Sequence, residues 1–521
     1  MLNLLINSIN AIRSVSGLDS DASAFITAAG LTDPTQKSAI NTLVKDMKAS
    51  GLWTKMKAVY PMVGGTATSM KFNLKDPRDL DAAFRLTWSG GWTYSATGAT
   101  PNGTNAYADT KYSPNSYSSN GVNYGIYTRN TATGTYPILM GGYNSDSKYF
   151  YVGGGGESYL GAGASAIIYS GLTSGYYIRN GNSAGQIAIK NNTLIGTNTS
   201  AAQYTTTNIY LAAINTTGSG ASNFSNGQIC FSHFSESLTQ QEGFLLNQIV
   251  EKYQVALSRG VQAAQSFYYN SAYSNEANTY LYSTQITGTT QVSAINTLIN
   301  GLKANNLWTK MKAVYPFVTD KSLQADMAAQ MKFNLVNPQD TDAAFRLAFS
   351  GGWTYSTNGA QPNGTNGYAD TFLIPNTSLS TSSSHLSFYS RTNTTSGSGY
   401  DLARTHYALI TQFSGNTFYA NLETVGSYAA SYTSTNGLGH FIASRINNTT
   451  TQGFKNGLKV INASQNSSLA TSSLIISNNG GANYSNKQTA FVSIGDGFTD
   501  AEAALFYQLI QQFQTDLTRQ V

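Results

Sequence analysis

Apolar and polar positions follow two different rhythms along this chain. From Ser38 onward, apolar side chains fall at Ile40, Leu43, Val44, Met47 and Leu52, the three-to-four spacing of a helix with one buried face. The same rhythm returns through Phe244, Leu245, Ile249 and Tyr253, and again through Ala504, Leu505, Leu509 and Phe513. Both of these later segments open on Thr-x-x-Glu, at Thr239/Glu242 and Thr499/Glu502. That pattern predicts a capping box, in which hydroxyl and carboxylate each satisfy an orphan N–H of the first turn. The stretches between the helical segments carry short runs of strand character, such as 83–88, 185–190 and 399–402, separated by Gly, Asn and Ser. Many short strands at turn-punctuated spacing predict a sandwich or barrel.

The two rhythms occur twice because the chain contains one unit twice. Residues 38–63 and 293–318 are identical at 19 of 26 positions, and 70–110 matches 331–371 at least as closely. The middles drift, and 238–254 then answers 498–514. A period this long means tandem domains, because a solenoid repeat is several-fold shorter. The expected division is an N-terminal helical segment at 1–69, a first β-sandwich with its C-terminal helix at 70–260, a linker and second helical segment at 261–330, and a second sandwich with its helix at 331–521.

Composition narrows the class. Charged residues make up 11% of the chain, against roughly 25% in an ordinary globular protein, and Gly, Tyr, Asn, Ser and Thr take their place. Such a surface stays wet through hydroxyls and amides instead of charge. A net charge of +5 with no basic block argues against nucleic acid as a partner, which needs a clustered phosphate-neutralising patch. The single cysteine, Cys230, excludes an intrachain disulfide framework and reads as a buried, inert thiol. No apolar stretch has the length of a membrane span. Residues 1–12 lack the basic start of a signal peptide and read as the beginning of an amphipathic helix.

The last third of each unit has a more particular form. Phe454-Lys455-Asn456-Gly457-Leu458 is a strand, an Asn-Gly hairpin turn and a strand, and Ile189-Lys190-Asn191-Asn192-Thr193-Leu194 is its weaker counterpart. A Gly- and Asn-rich loop, an apolar strand (229–234; 490–494) and the Thr-x-x-Glu helix follow. This order resembles the end of concanavalin A-like and laminin-G-like jelly rolls, over roughly 70–255 and 331–515. The resemblance implies a mainly β protein of two tandem antiparallel β-sandwich domains, each flanked by short helices. The front blocks, 52–65 and 71–110, resemble a module of tailed-phage virion structural proteins such as head fibres, decoration proteins and tail proteins. That resemblance implies a virion location after synthesis in a host cytoplasm, other virion proteins as partners, and a homo-oligomer in the particle.

Residues able to carry catalysis are scarce. A glycan-cleaving enzyme needs two flanking carboxylates, one of them a raised-pKa acid, and the seven glutamates include no such pair. Asp79 and Asp81, repeated as Asp340 and Asp342, directly follow a proline and read as turn or cap residues. His233, His385, His406 and His440 have no metal-ligand spacing. Gly153 to Gly156 lacks the Lys-Ser/Thr of a phosphate loop and reads as a loop. Asp109 and Asp370 are thin candidates for calcium. No catalytic residue, cofactor or metal is expected. Binding has more to work with: Trp92, Tyr94, Asn102 and Asn105, repeated as Trp353, Tyr355, Asn363 and Asn366, combine rings and amides in the way a carbohydrate platform does. The competing reading is that these repeated residues serve core and turn. A variable ligand site would then lie in the diverged stretches 141–177 and 401–440, rich in Tyr, Gly and Ser. The expected function is a non-enzymatic virion protein that attaches to host-surface glycans, with a free adhesin or a depolymerase as alternatives.

Overall fold

The computed structural model describes residues 17–134, 136–144, 148–154, 157–161, 167–168, 171–393, 399–413, 416–424, 430–481 and 483–521. The helix start expected at 1–12, and Gly155 and Gly156 of the glycine run, lie outside the described residues. The chain divides into two compact units, Met1–Ala264 with Tyr268–Ser271, and Gln265–Phe267 with Ala272–Val521.

Each unit is a β-sandwich with a layer of helices on one side. In the first unit, one sheet runs in the spatial order Thr193–Asn198, Gly185–Lys190, Gly175–Asn182, Val122–Thr128, Ile229–Ser235, Gly98–Pro101 and Trp92–Ser95. The other runs Ile167–Ile168, Glu157–Gly161, Tyr149–Gly153, Ile138–Tyr143, Tyr210–Leu211, Tyr107–Asp109 and Thr87–Ser89. Pairing is antiparallel apart from the short strand Ile214–Thr216, which runs parallel to Ile138–Tyr143. The second unit repeats this order from Trp353–Ser356 to Leu458–Ser464 and from Ala348–Ser350 to Ser431–Thr433. Both expected hairpin turns form. Lys190 faces Thr193 across Asn191 (φ 48°) and Asn192 (φ 63°), and Lys455 faces Leu458 across Asn456 (φ 49°) and Gly457 (φ 77°). Positive φ at both central residues is the turn that matches strand twist.

Two expectations need correction. The segments 1–69 and 261–330 are not purely helical, because Met56–Tyr60 and Met311–Tyr315 are strands paired with Ile229–Ser235 and Thr489–Gly495. Five consecutive residues with Val and Tyr fit a pleated surface, and the sheet supplied the partner that helical periodicity could not reveal. The run 83–88 is not one strand either: Asp81–Ala83 is a 3₁₀ turn, Phe84 is left-handed at φ 59°, and the strand starts only at Thr87.

Helices Ser20–Ala28, Pro34–Ala49 and Gln240–Ala256 cover the first sheet. Their apolar faces join Tyr127, Tyr176, Ile178, Ile189 and Phe231 of that sheet in one buried cluster. A second cluster, with Tyr124, Ile126, Met140, Phe150, Val152 and Phe234, fills the space between the sheets. The first sheet is therefore buried on both faces, which is why Val122–Thr128 and Ile229–Ser235 are buried at every residue. The second unit divides its core in the same way. Both capping boxes are present, and Glu242 and Glu502 also pair with Lys55 and Lys310 at 2.6 Å.

A buried arginine ties each C-terminal helix down. The Arg259 guanidinium donates to the carbonyls of Met62, Pro61 and Cys230 at 2.7–2.9 Å, and Arg519 does the same to Phe317, Pro316 and Ala490 at 2.7–2.8 Å. Carbonyl dipoles stand in for a counter-ion, and an arginine can reach three of them at once because its donors form a planar fork.

The two copies of one tryptophan differ in burial. Trp53 is 6% exposed, its Nε1 donates to Asp21 Oδ2 at 2.9 Å, and the Lys75 ammonium lies 4.5 Å from its ring centre. Trp308 is only half-buried. Trp53→Ala should destabilise the first unit by about 3–5 kcal/mol, and Trp308→Ala should cost the second clearly less. Urea unfolding of the two variants checks this; equal losses would contradict it.

Candidate functional site

The repeated ring-and-amide residues come together, and their indole and amide groups are hydrogen-bonded within the chain. Trp92 and Tyr94 stack with centroids 6.4 Å apart, and Trp88 meets both edge to face at 4.8 and 5.1 Å. Phe349 takes the place of Trp88 against Trp353 and Tyr355. Trp92 Nε1 donates to the carbonyls of Ser89 and Tyr107. Burial pushes the Tyr94 hydroxyl up to about 12. Asn102 Oδ1 accepts from the backbone N–H groups of Thr104, Asn105 and Ala106, and its Nδ2 donates to Asn105 Oδ1 at 2.8 Å. Asn105 Oδ1 also accepts from Gly91 N. Asn363 and Asn366 repeat every one of these bonds with Thr365, Gly367 and Gly352. A Cβ at Gly90 would stand 2.1 Å from the Asn105 carbonyl oxygen, so glycine is required there. These residues hold a tight turn against the sheet.

A different group of aromatics forms an open cleft in the first unit. The helical layer covers one sheet, so the outer face of the other is the sheet surface left uncovered. There Tyr136, Tyr143, Tyr149 and Tyr151, with Ile214 and Asn223, surround a cleft of about 470 Å³, within the roughly 300–1,000 Å³ of small-molecule sites. The strands explain how the rings are placed. Tyr149 and Tyr151 alternate with the inward Phe150 and Val152, so both face out. Tyr143 and Tyr149 are directly paired across strands and stack at 4.4 Å, and Tyr151 meets Tyr149 edge to face at 6.1 Å. The Tyr136 and Tyr151 hydroxyls lie 3.0 Å apart. Burial and the hydrogen bond that Tyr149 donates to Tyr143 raise the Tyr149 hydroxyl above its ordinary value. Gly141 keeps the floor open, because a Cβ there would fall 2.9 Å from Tyr151 Cβ and 3.0 Å from Ile138 Cγ2. Three of the four tyrosines lie inside the diverged stretch 141–177. The spacing of Tyr149 and Tyr151 was the available signal, while Tyr136 reaches the cleft from a loop that no local pattern marks.

The remaining candidates have structural partners. Asp79 and Asp81 take ion pairs from Lys71 and Arg85, and Asp340 and Asp342 take them from Lys332 and Arg346. The Lys71 ammonium and the Arg85 guanidinium hold the Asp79 carboxyl below its usual range. Asp109 accepts from Lys111 N and pairs with its ammonium at 3.0 Å, and Asp370 accepts from Phe372 N. Among the described residues no cluster of three or more His, Cys, Asp or Glu could hold a metal ion. Cys230 is fully buried and burial pushes its thiol up to about 11. Among the described residues no helix is long and apolar enough to cross a membrane.

No protein-family model matches the chain, and no curated protein matches it. Solved structures that match part of the chain include domain 4 of AbnA, a GH43 extracellular arabinanase from Geobacillus stearothermophilus in complex with arabinotriose. That match has 15% identity and a TM-score of 0.28, and covers 38% of this chain and 98% of that one. The botulinum neurotoxin type G receptor-binding domain has 10% identity and a TM-score of 0.26, covering 39% of this chain and 51% of that one. Trypanosoma rangeli sialidase has 9% identity and a TM-score of 0.29, covering 70% of this chain and 47% of that one. At these values the likenesses carry no function over to this chain.

Proposed function

We propose that the protein is a non-catalytic structural component of a tailed-phage virion, on the capsid or the tail, presenting two lectin-like sandwiches for assembly and for weak attachment to host-surface glycans. The observation that carries the glycan reading is the uncharged tyrosine cleft on the open sheet face. A sugar has apolar C–H faces and hydrogen-bonding edges, and a tyrosine offers an apolar ring and a polar tip in the same order. The virion reading rests on the resemblance of blocks 52–65 and 71–110 and on a surface poor in charge and rich in amides and hydroxyls. Other virion proteins and further copies of this chain are the proposed partners. Displayed in many copies, sites of roughly millimolar affinity gain 10²–10⁴ in avidity without new contacts. The absence of catalysis is supported by the ion-paired state of Asp79, Asp81, Asp340 and Asp342, since a glycosidase needs one acid with a raised pKa.

Incubated with host capsular and surface polysaccharides, the purified protein should retain polysaccharide and release no reducing sugar. Mass spectrometry should find the chain in purified particles. Steady release of reducing sugar, abolished by Asp81→Asn or Asp342→Asn, would make the protein a depolymerase. Retention by a chain missing from the particles would make it an adhesin acting outside a virion.

A further inference from the structure

We infer that the tyrosine cleft takes a neutral glycan segment and that the first unit alone carries it, so that the duplicated chain holds one such site; this rests on the glycan-attachment reading above. Neutrality follows from the lining. Rings, two isoleucines, a threonine and an asparagine face the cleft, and among the described residues no charged side chain does. A sialic or uronic acid would bring a carboxylate into apolar surroundings with no cation to meet it, and burying an unpaired charge is strongly unfavourable. A neutral pyranose brings only hydroxyls, which the tyrosine tips and the Asn223 amide at the rim can meet while the ring face lies on the aromatics.

Confinement to the first unit follows from the sheet register. Gly141 lies between Tyr210 and Tyr151, and the second unit puts Ala403 between Ile475 and Ala408 at the same place. Tyr151 is thus answered by Ala408. One step further along, Gly142 faces Phe150, and Arg404 faces Tyr407. In the first unit the strands continue to the stacked pair Tyr143 and Tyr149. In the second they stop, because Thr405 (φ 51°) and His406 make the turn at those two positions. Three of the cleft's tyrosines, the stacked pair and the edge-on ring, are therefore answered by Thr405, His406 and Ala408. Among the described residues, what that face carries is a small buried cluster of Tyr400, Ala403, Ala408 and Ile410 with Tyr419 against it. The floor changes in the same sense, since Gly141, which leaves room for the rings, is answered by a residue with a side chain.

The test uses the full chain, titrated by calorimetry with neutral oligosaccharides (maltotriose, galactotriose, arabinotriose) and with acidic ones (sialyllactose, trigalacturonate), at concentrations up to the millimolar range. Tyr149→Ala probes the cleft and Tyr419→Ala the second unit, with thermal melts to show that both variants fold. The expected result is at least one neutral sugar bound at one site per chain, weakened about tenfold or more by Tyr149→Ala, the size of a single aromatic anchor, and unmoved by Tyr419→Ala. Two equivalent sites, or loss on Tyr419→Ala, would overturn the one-site assignment while leaving glycan attachment in place. Preference for the acidic sugars, or binding indifferent to Tyr149→Ala, would overturn the assignment of this cleft. Retention of none of the five would overturn the attachment reading itself.

Discussion

Asp401→Ala should destabilise the second unit by about 3–5 kcal/mol, because it leaves the Lys487 ammonium buried without its partner. The Asp401 carboxylate is fully buried in the sandwich and Lys487 is 3% exposed. Asp401 Oδ2 accepts from Lys487 Nζ at 2.9 Å, Thr411 N at 2.7 Å and Thr411 Oγ1 at 2.9 Å, and Oδ1 accepts from Ser485 Oγ at 2.7 Å. The first unit solves the same place without charge. Ala212 N donates to Leu139 O where Ser477 N donates to Asp401 O, and Gly227 N donates to Ser225 Oγ where Lys487 N donates to Ser485 Oγ. Leu139 and Gly227 are thus the counterparts of Asp401 and Lys487. They are also coupled, since a Cβ on Gly227 would meet Leu139 Cδ2 at 2.7 Å. One copy packs a leucine over a glycine, and the other pairs an aspartate with a lysine. In thermal unfolding, Asp401→Ala should lower the transition of the second unit by roughly 6–20 °C. The double variant Asp401→Leu/Lys487→Gly should recover most of that loss. A double variant as unstable as the single one would show that the two solutions are not interchangeable.

Acid should unfold the second unit before the first. His233, His385 and His440 lie between sheet and helices, and burial pushes each imidazole down to about 3. His233 is held by Tyr176 Oη and Asn123 Oδ1, and His385 by the Asp496 carbonyl and Ser493 Oγ. Neither ring nitrogen of His440 has a hydrogen-bond partner among the described residues. The folded pKa lies below the unfolded value of about 6.5, so the unfolded chain takes up protons first as pH falls. Stability is therefore complete above about pH 6.5 and falls below it, by about 1.4 kcal/mol per pH unit for each histidine, until about pH 3. Two of the three histidines are in the second unit. In the first, burial raises the carboxyls of Asp46 and Glu251 above their ordinary values, which works in the opposite direction. Unfolding followed by urea between pH 7 and pH 4 should show the second unit's midpoint falling about twice as steeply. His440→Leu should keep stability at pH 7, since it removes an unpartnered polar ring among Phe491, Phe506 and Tyr507, and should halve that slope. An unchanged slope would assign the acid sensitivity to other groups.

Much of the repeated sequence proves to specify backbone geometry. Asn73 and Asn334, in the matching blocks 70–110 and 331–371, each accept from two backbone N–H groups and donate to two carbonyls around the first strand of their unit. Asn102 and Asn363 lock the same turn twice, and Arg259 and Arg519 clamp the same carbonyls. Identity between copies marked what both need to fold, and the cleft lies where they differ.

Local pattern determined the parts of this protein that local physics controls: the capping boxes at Thr239 and Thr499, the Asn191-Asn192 and Asn456-Gly457 turns, the helical periods, the duplication and the sandwich class. Caps, turns and helical periods depend on residues within a few positions of one another, and the duplication is a comparison of the chain with itself, so these signals survive in the chain as written. Tertiary structure decided the rest. Met56–Tyr60 became a strand because the edge of Ile229–Ser235 was there to pair with. The double burial of each unit's helix-covered sheet followed from helices drawn from both ends of that unit, Pro34–Ala49 and Gln240–Ala256 in the first, and in the two units together that burial pushes the imidazoles of His233, His385 and His440 down. The cleft gathers Tyr136, Tyr143, Tyr149, Tyr151 and Ile214 from three segments, and its floor exists because Gly141 sits opposite Tyr151 in a register set by the whole sheet. A pairing register has no local signature beyond side-chain alternation, so a site that depends on it becomes visible only once the strands are in place.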